Sequence, residues 1–276
     1  MKLKKLLILL PLLLIGCGTN SNDNDGVDVI PPPGDEVPLD PPPVDEEPPP
    51  VDEEPEVSDM HFVYYDSLGC PKATWEKFAS APKSVYVNWC QLLKLNNNDY
   101  EKTVASVAAL TPKDVPVTIV ANGFGGQLAV AVAARDDVKI DRIVGVASFY
   151  NPDYIYTQWL KDATLKAVSE QPKFFVESSN VIIADKATDD LVAKQILDEN
   201  TTEDLVEIVK FYMWLQDNTA INLELAEAKI EAHNDANGKT DEKALAAHGI
   251  TLTLHNGGRF LMLEQPQVMQ AIIDAE

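Results

Sequence analysis

Residues 116–135 constrain this chain more than any other stretch. Pro116-Val117-Thr118-Ile119-Val120 is a short apolar run rich in β-branched residues, which is the composition of a strand. Gly123, Gly125 and Gly126 follow, and Gln127 to Arg135 (Gln-Leu-Ala-Val-Ala-Val-Ala-Ala-Arg) is an alanine-rich helix that opens on two of those glycines. A strand that turns straight into a helix belongs to a parallel sheet. The same alternation recurs along the chain, with strands predicted at 61–66, 84–88, 116–121 and 141–148 and helices at 73–80, 98–110 and 126–135. The fold class expected is α/β, a mostly parallel sheet flanked by helices. A dinucleotide-binding loop is disfavoured, because Leu128 stands where the third small residue of the G-x-G-x-x-G pattern should be.

Ala121-Asn122-Gly123-Phe124-Gly125 resembles the G-x-S-x-G elbow of the α/β-hydrolase fold family, with Gly123 in the nucleophile's place. Glycine reaches the strained backbone angles of such a turn at no steric cost. The alternative is an ordinary strand-to-helix turn of another α/β fold. Near the C-terminus, Gly258-Arg259-Phe260-Leu261-Met262-Leu263-Glu264-Gln265-Pro266 is similar to the family's G-H-F-x-x-x-E-x-P segment, and Arg259 takes the histidine's place. Arginine stays protonated, so it cannot accept the proton that a serine must lose. For the triad acid, Asn180 to Asp185 resembles the buried strand of the G-x-x-D pattern, which puts Ala187 at the acid position and Asp185, Asp189 or Asp190 close to it. A rival alignment puts that strand near Ile221 to Ala226 with Ile230 or Glu231 as the acid; the first is preferred, because Val181-Ile182-Ile183 is the more apolar run. Asp66-Ser67-Leu68-Gly69 sits where the family often has H-G-x-G, the loop that donates an oxyanion N–H, and a negative Asp66 there would oppose an oxyanion.

The resemblance covers roughly residues 60–276 and implies an α/β-hydrolase-like domain with a helical cap over about 151–247. Tyr154, Tyr156, Trp159, Phe211, Tyr212 and Trp214 would then either line a pocket under the cap or pack in its core. With Gly123, Ala187 and Arg259 at the triad positions, the implied domain is inactive and acts in binding. Its binding groups would be the Phe124 N–H, Ser67 and Arg259, and its ligand a small anionic or acyl molecule or an envelope protein. Two other classes remain: an active hydrolase using Ser67 or Ser148 with His255, and a structural or assembly lipoprotein. The resemblance also places the ends of strands 62–66 and 85–88 side by side, so that Cys70 and Cys90 either form a disulfide, as suits an oxidising compartment, or stay as free thiols.

The N-terminus carries a different message. Lys2, Lys4 and Lys5 precede the apolar run Leu6 to Ile15, a signal-peptide pattern too short for a stable bilayer span. It ends in Leu14-Ile15-Gly16-Cys17, which resembles the bacterial lipobox, so residues 1–16 are expected to be removed and Cys17 lipidated. Gly18 after the cysteine points to the outer membrane of a bacterial envelope. From Thr19 to Asp59 the chain has eleven prolines, fourteen Asp or Glu and no Lys or Arg, and Pro41 to Glu47 is repeated directly by 48–54. Such a segment buries too little apolar surface to fold, so residues 17–59 read as a disordered tether reaching on the order of 100 Å. The formal charge of −22 becomes −25 without the three leader lysines, and −14 of that lies in the tether. This balance argues against nucleic acid and leaves membrane association to the acyl chains. Asp235 to Asp241 is a polar loop, since His233 and Ala244 stand where a calcium loop needs carboxylates, and His61, His233, His248 and His255 lack zinc spacing. No metal or cofactor is expected.

Overall fold

The structure, a computed structural model, describes residues 60–275 apart from 150, 181–185, 235–239 and 257. Cys17, the leader and the tether lie outside the described residues. Six strands, β1 (His61–Tyr65), β2 (Ser84–Val87), β3 (Val117–Asn122), β4 (Arg142–Val146), β5 (Lys229–His233) and β6 (Thr251–Thr253), form one sheet in the order β2-β1-β3-β4-β5-β6. Every neighbouring pair is parallel. All residues of β3 and β4 are buried, as a parallel sheet covered on both faces requires, whereas the edge strands β2 and β6 stay partly exposed.

Helices α1 (Glu76–Ala79), α2 (Trp89–Leu95), α3 (Tyr100–Ala108) and α4 (Gly125–Ala133) alternate with the first strands. Helix α4 is buried from Gly125 to Val132, which explains its apolar side chains on every face. The helix expected over 98–110 has a separate predecessor, α2. Asn97 and Asn98 adopt φ +53° and +59° and break the run, while Asn88 and Asp99 cap the two helices through their side chains.

Between β4 and β5 lie five helices: α5 (Gln158–Glu170), α6 (Pro172–Asn180), α7 (Lys186–Glu199), α8 (Thr202–Asp217) and α9 (Thr219–Leu225). This corrects the acid-strand reading. Asn180 ends a helix, Ala187 lies on α7, and residues 181–185 fall outside the described residues. The rival segment is also helical, and Ile230 and Glu231 lie inside a strand rather than after it. The fifth strand is Lys-Ile-Glu-Ala-His, graded from exposed to buried beside a three-residue edge strand, so it never needed the continuous apolar run the prediction sought. The helical insertion therefore ends before 229, not near 247. Helices α10 (Glu242–Ala247), α11 (Leu261–Glu264) and α12 (Pro266–Asp274) complete the domain.

Arg142 ties three of these parts together. From the start of β4 its guanidinium donates to both carboxylate oxygens of Glu231 on β5, at 3.2 and 2.7 Å, and to the carbonyls of Ile272 and Ile273 near the C-terminus of α12, at 2.8 and 3.1 Å. Cations at a helix C-terminus are favourable, and a buried pair is costly to break from one side. Arg142→Ala is expected to lower stability by about 3 kcal/mol, read as a reduced urea midpoint; a loss below roughly 1 kcal/mol would show that α12 is held by its apolar face alone.

Candidate functional site

The strand order reverses between β1 and β3. After β1 the chain moves outward to β2; from β3 onward it moves the other way through β4, β5 and β6. Connections leaving the two strands diverge, and the crevice between them at the strand C-termini is where open α/β sheets bind ligands. The loop after β1 (Asp66 to Cys70) and the turn after β3 (Gly123 to Gly125) meet there.

Gly123 turns at φ +50°. Its N–H donates to Val146 O at 3.1 Å, and the same carbonyl accepts from Asn122 Nδ2 and Ser148 Oγ. The chain then enters α4, with Gly125 so near the β1 loop that a Cβ would meet Asp66 O at 2.7 Å. Above Gly123 the space is filled: a Cβ would stand 2.2 Å from Ser67 Oγ and 2.7 Å from Arg259 Nη2. Ser67 Oγ accepts a 2.7 Å hydrogen bond from Arg259 Nη2, and both residues are buried. In the hydrolase pattern the elbow holds serine and the oxyanion loop holds glycine. Here the two residue types are exchanged, and the serine enters the crevice from the opposite loop.

The loop carrying Arg259 is held by three side chains. Asn122 Nδ2 donates to Arg259 O at 2.7 Å, Asn234 Nδ2 donates to Gly258 O at 3.0 Å, and Glu264 Oε2 accepts from Gly258 N–H at 2.7 Å. The β1 loop is equally constrained. Trp89 Nε1 donates to Asp66 O and Trp75 Nε1 to Tyr65 O, while Asn200 Nδ2 reaches Gly69 O. A disulfide joins Cys70 to Cys90, with the Cα atoms 6.0 Å apart.

Asp66 is fully buried, and burial pushes its carboxyl up to about 8 against the opposing pull of the Ser67 N–H, the Thr74 hydroxyl and Arg259. Its Oδ1 accepts from Ser67 N–H at 2.8 Å, and the Thr74 hydroxyl is the second donor that opposes the rise. Burial is the largest influence and favours the neutral acid. It therefore does not place a full negative charge against the crevice.

The remaining expected residues separate. Phe124 stacks on Tyr212 of α8 with centroids 3.7 Å apart, and Tyr156 packs edge-on against the same ring, so the cap lies directly over the elbow. Phe211 and Trp214 instead pack with Trp89 and Tyr100 in the core, and Trp159 is exposed. Ser148 donates to Val146 O, and His255 hydrogen-bonds His233, so neither Ser67 nor Ser148 meets His255 through a described contact. Sequence reasoning passed over Asn122 and Asn234, and weighed Glu231 only as a rival triad acid and His233 only as a calcium-loop or zinc position. Asn122 was legible as the residue just before the turn. Asp235 also follows β5 as the fourth residue of Ala232-His233-Asn234-Asp235, in the G-x-x-D spacing, and it lies outside the described residues.

The sequence matches no family model and no curated protein. Solved structures do match. A hydrolase from Oleispira antarctica superposes with a TM-score of 0.57 at 11% identity, covering 79% of this chain and 92% of that one. MenH from S. aureus gives 0.55 at 12%, covering 78% and 92%. The enol-lactonase from Burkholderia xenovorans gives 0.55 at 14%, covering 79% and 90%. These are α/β-hydrolases, and the fold of this domain is similar to theirs, a parallel sheet flanked by helices.

Two outcomes test the site. Gly123→Ser should cost about 2 kcal/mol from overpacking, and adding Ser67→Gly should recover a good part of it; strictly additive effects would mean that the two positions do not share one space. Asp66 has a folded value far above its unfolded one, so the stability it supports is complete below about pH 4 and declines as pH rises toward 8. Asp66→Asn should flatten that decline, as followed by thermal unfolding across this window.

Proposed function

We propose that this chain is a lipid-anchored protein of the bacterial envelope whose α/β-hydrolase-like domain binds rather than hydrolyses. One observation carries the reading: the place of a nucleophile at the elbow is filled by Ser67 Oγ and Arg259 Nη2. A serine side chain at 123 has no room, and the residue facing it cannot act as a base. What remains is a polar crevice with positive character, made by Arg259 and the N-terminus of α4. Ser67 satisfies it internally, so a carboxylate or other small anion would enter by taking over the hydrogen bond that Ser67 now accepts. An envelope protein docking on the capped face, as in a structural or assembly lipoprotein, is the corresponding macromolecular reading.

A second reading has one observation in its favour. Ser67 Oγ stands close to where the elbow side chain would be, and it receives a charged donor, so it is placed to act as a transposed nucleophile. It lacks a described base. The anchoring proposal rests on the leader, Cys17 and the acidic, proline-rich segment behind it. Among the described residues no helix is long and apolar enough to cross a membrane.

The purified domain is expected to show no turnover of short acyl esters above buffer, and Ser67→Ala to change nothing. Turnover that Ser67→Ala abolishes would establish the transposed nucleophile instead. Cys17→Ser is expected to release the chain from membranes on fractionation; identical partitioning of variant and parent would remove the lipid anchor from the account.

A further inference from the structure

A second polar constellation lies apart from the crevice. Glu231 and His233 sit two residues apart on β5 and share one face of the sheet. His255 follows β6. His233 Nδ1 and His255 Nε2 are 3.0 Å apart, and the ring centroids 5.2 Å apart. The difference is about the sum of two ring radii, so the two nitrogens point at one another. That is the geometry of an N–H···N hydrogen bond holding one proton; a shared metal ion would need two lone pairs that converge from the side.

Glu231 decides which nitrogen carries the proton. Its Oε2 lies 3.5 Å from His233 Nε2, and both its oxygens are engaged by cations, Arg142 and Lys229. Burial opposes its ionisation, yet the hydrogen bonds from Arg142 and Lys229 outweigh it and hold the carboxyl down at about 2. A carboxylate there requires the proton of neutral His233 on Nε2, which leaves Nδ1 as an acceptor. His255 must then donate from Nε2. Its own Nδ1 is left as a bare acceptor, and among the described residues it has no hydrogen-bond partner.

These side chains line a groove of about 540 Å³ whose other wall is the apolar face of α12, including Val268, Ala271 and Ile272. The groove is shallow and open to solvent, with apolar side chains along one wall and the polar groups at one end. Among the described residues the charged groups facing the pair are Glu231 and Lys229 from β5 and Arg142 from β4, while the α12 residues lining the groove are uncharged. Among these described groups one carboxylate stands against two cations.

We infer that this groove binds small monocarboxylates with an apolar body, and that His255 Nδ1 takes up one proton from solvent as they bind. An O–H bond of hydronium breaks, releasing water, and an Nδ1–H bond forms. The bound carboxylate faces a histidinium that still donates from Nε2 to His233, while the hydrocarbon covers Val268 and Ala271. A histidinium–carboxylate hydrogen bond is charge-assisted and therefore among the stronger ones.

The test uses the full chain carrying Cys17→Ser, so that no detergent competes, with octanoate as probe and octanol as the control of equal apolar body. Calorimetry is expected to show saturable octanoate binding with uptake of one proton, read from the change in observed heat between buffers of different ionisation enthalpy. His255→Phe should abolish it, and thermal unfolding of that variant should remain near the parent's because the ring is half-exposed. Nitrogen NMR of the histidine side chains, which needs no variant, should place the His233 proton on Nε2 and show His255 Nδ1 gaining one with octanoate. Absence of saturable binding, equal affinity for octanol, binding without proton uptake, survival in His255→Phe or a His233 proton on Nδ1 would each overturn the assignment.

Discussion

Between β3 and α4 the chain reverses through one left-handed residue, Gly123, with its N–H on Val146 O. That carbonyl also receives Asn122 Nδ2 and Ser148 Oγ, so the end of β4, the end of β3 and the turn are locked to a single acceptor. Everything around the crevice is placed against this point. Helix α4 starts close enough to the β1 loop that only glycine fits at 125, and Asn122 spends its remaining amide hydrogen on Arg259 O. The turn, the helix start and the Arg259 loop are thus held together within hydrogen-bonding distance.

The exchange of serine and glycine between positions 67 and 123 gives this preservation a physical meaning. A crevice of fixed size accepts one side chain above the elbow. Once Ser67 enters from the β1 loop, residue 123 must be glycine, for steric reasons as well as for its backbone angle. Arg259 finds its acceptor in Ser67 Oγ. Positions 67, 123 and 259 are therefore coupled, and the loop carrying Ser67 is fixed by Trp89, Asn200 and the Cys70–Cys90 disulfide.

Charge is handled differently at the two polar sites of the sheet edge. Asp66 has burial without a cation bonded to it strongly enough to offset the loss of water, so its neutral form is favoured. Glu231, less buried and clamped by Arg142 and Lys229, stays ionised and orders the two histidines beyond it. The same residue class therefore serves as a neutral filler in one place and as a fixed charge in the other.

Local sequence determined the strand, the glycine turn, the buried helix after it and the order of the first four strands, because each is set by side-chain type over a few neighbouring residues. Local pattern failed at β5, whose half-buried, charged strand is stabilised by Arg142 and its neighbours rather than by its own hydrophobicity. The meeting of Ser67 with Gly123 and Arg259, and of His233 with His255, was decided only by tertiary structure. Those partners lie on separate strands' loops, and the distance between such loops is set by sheet order and loop path, which no short window of sequence contains.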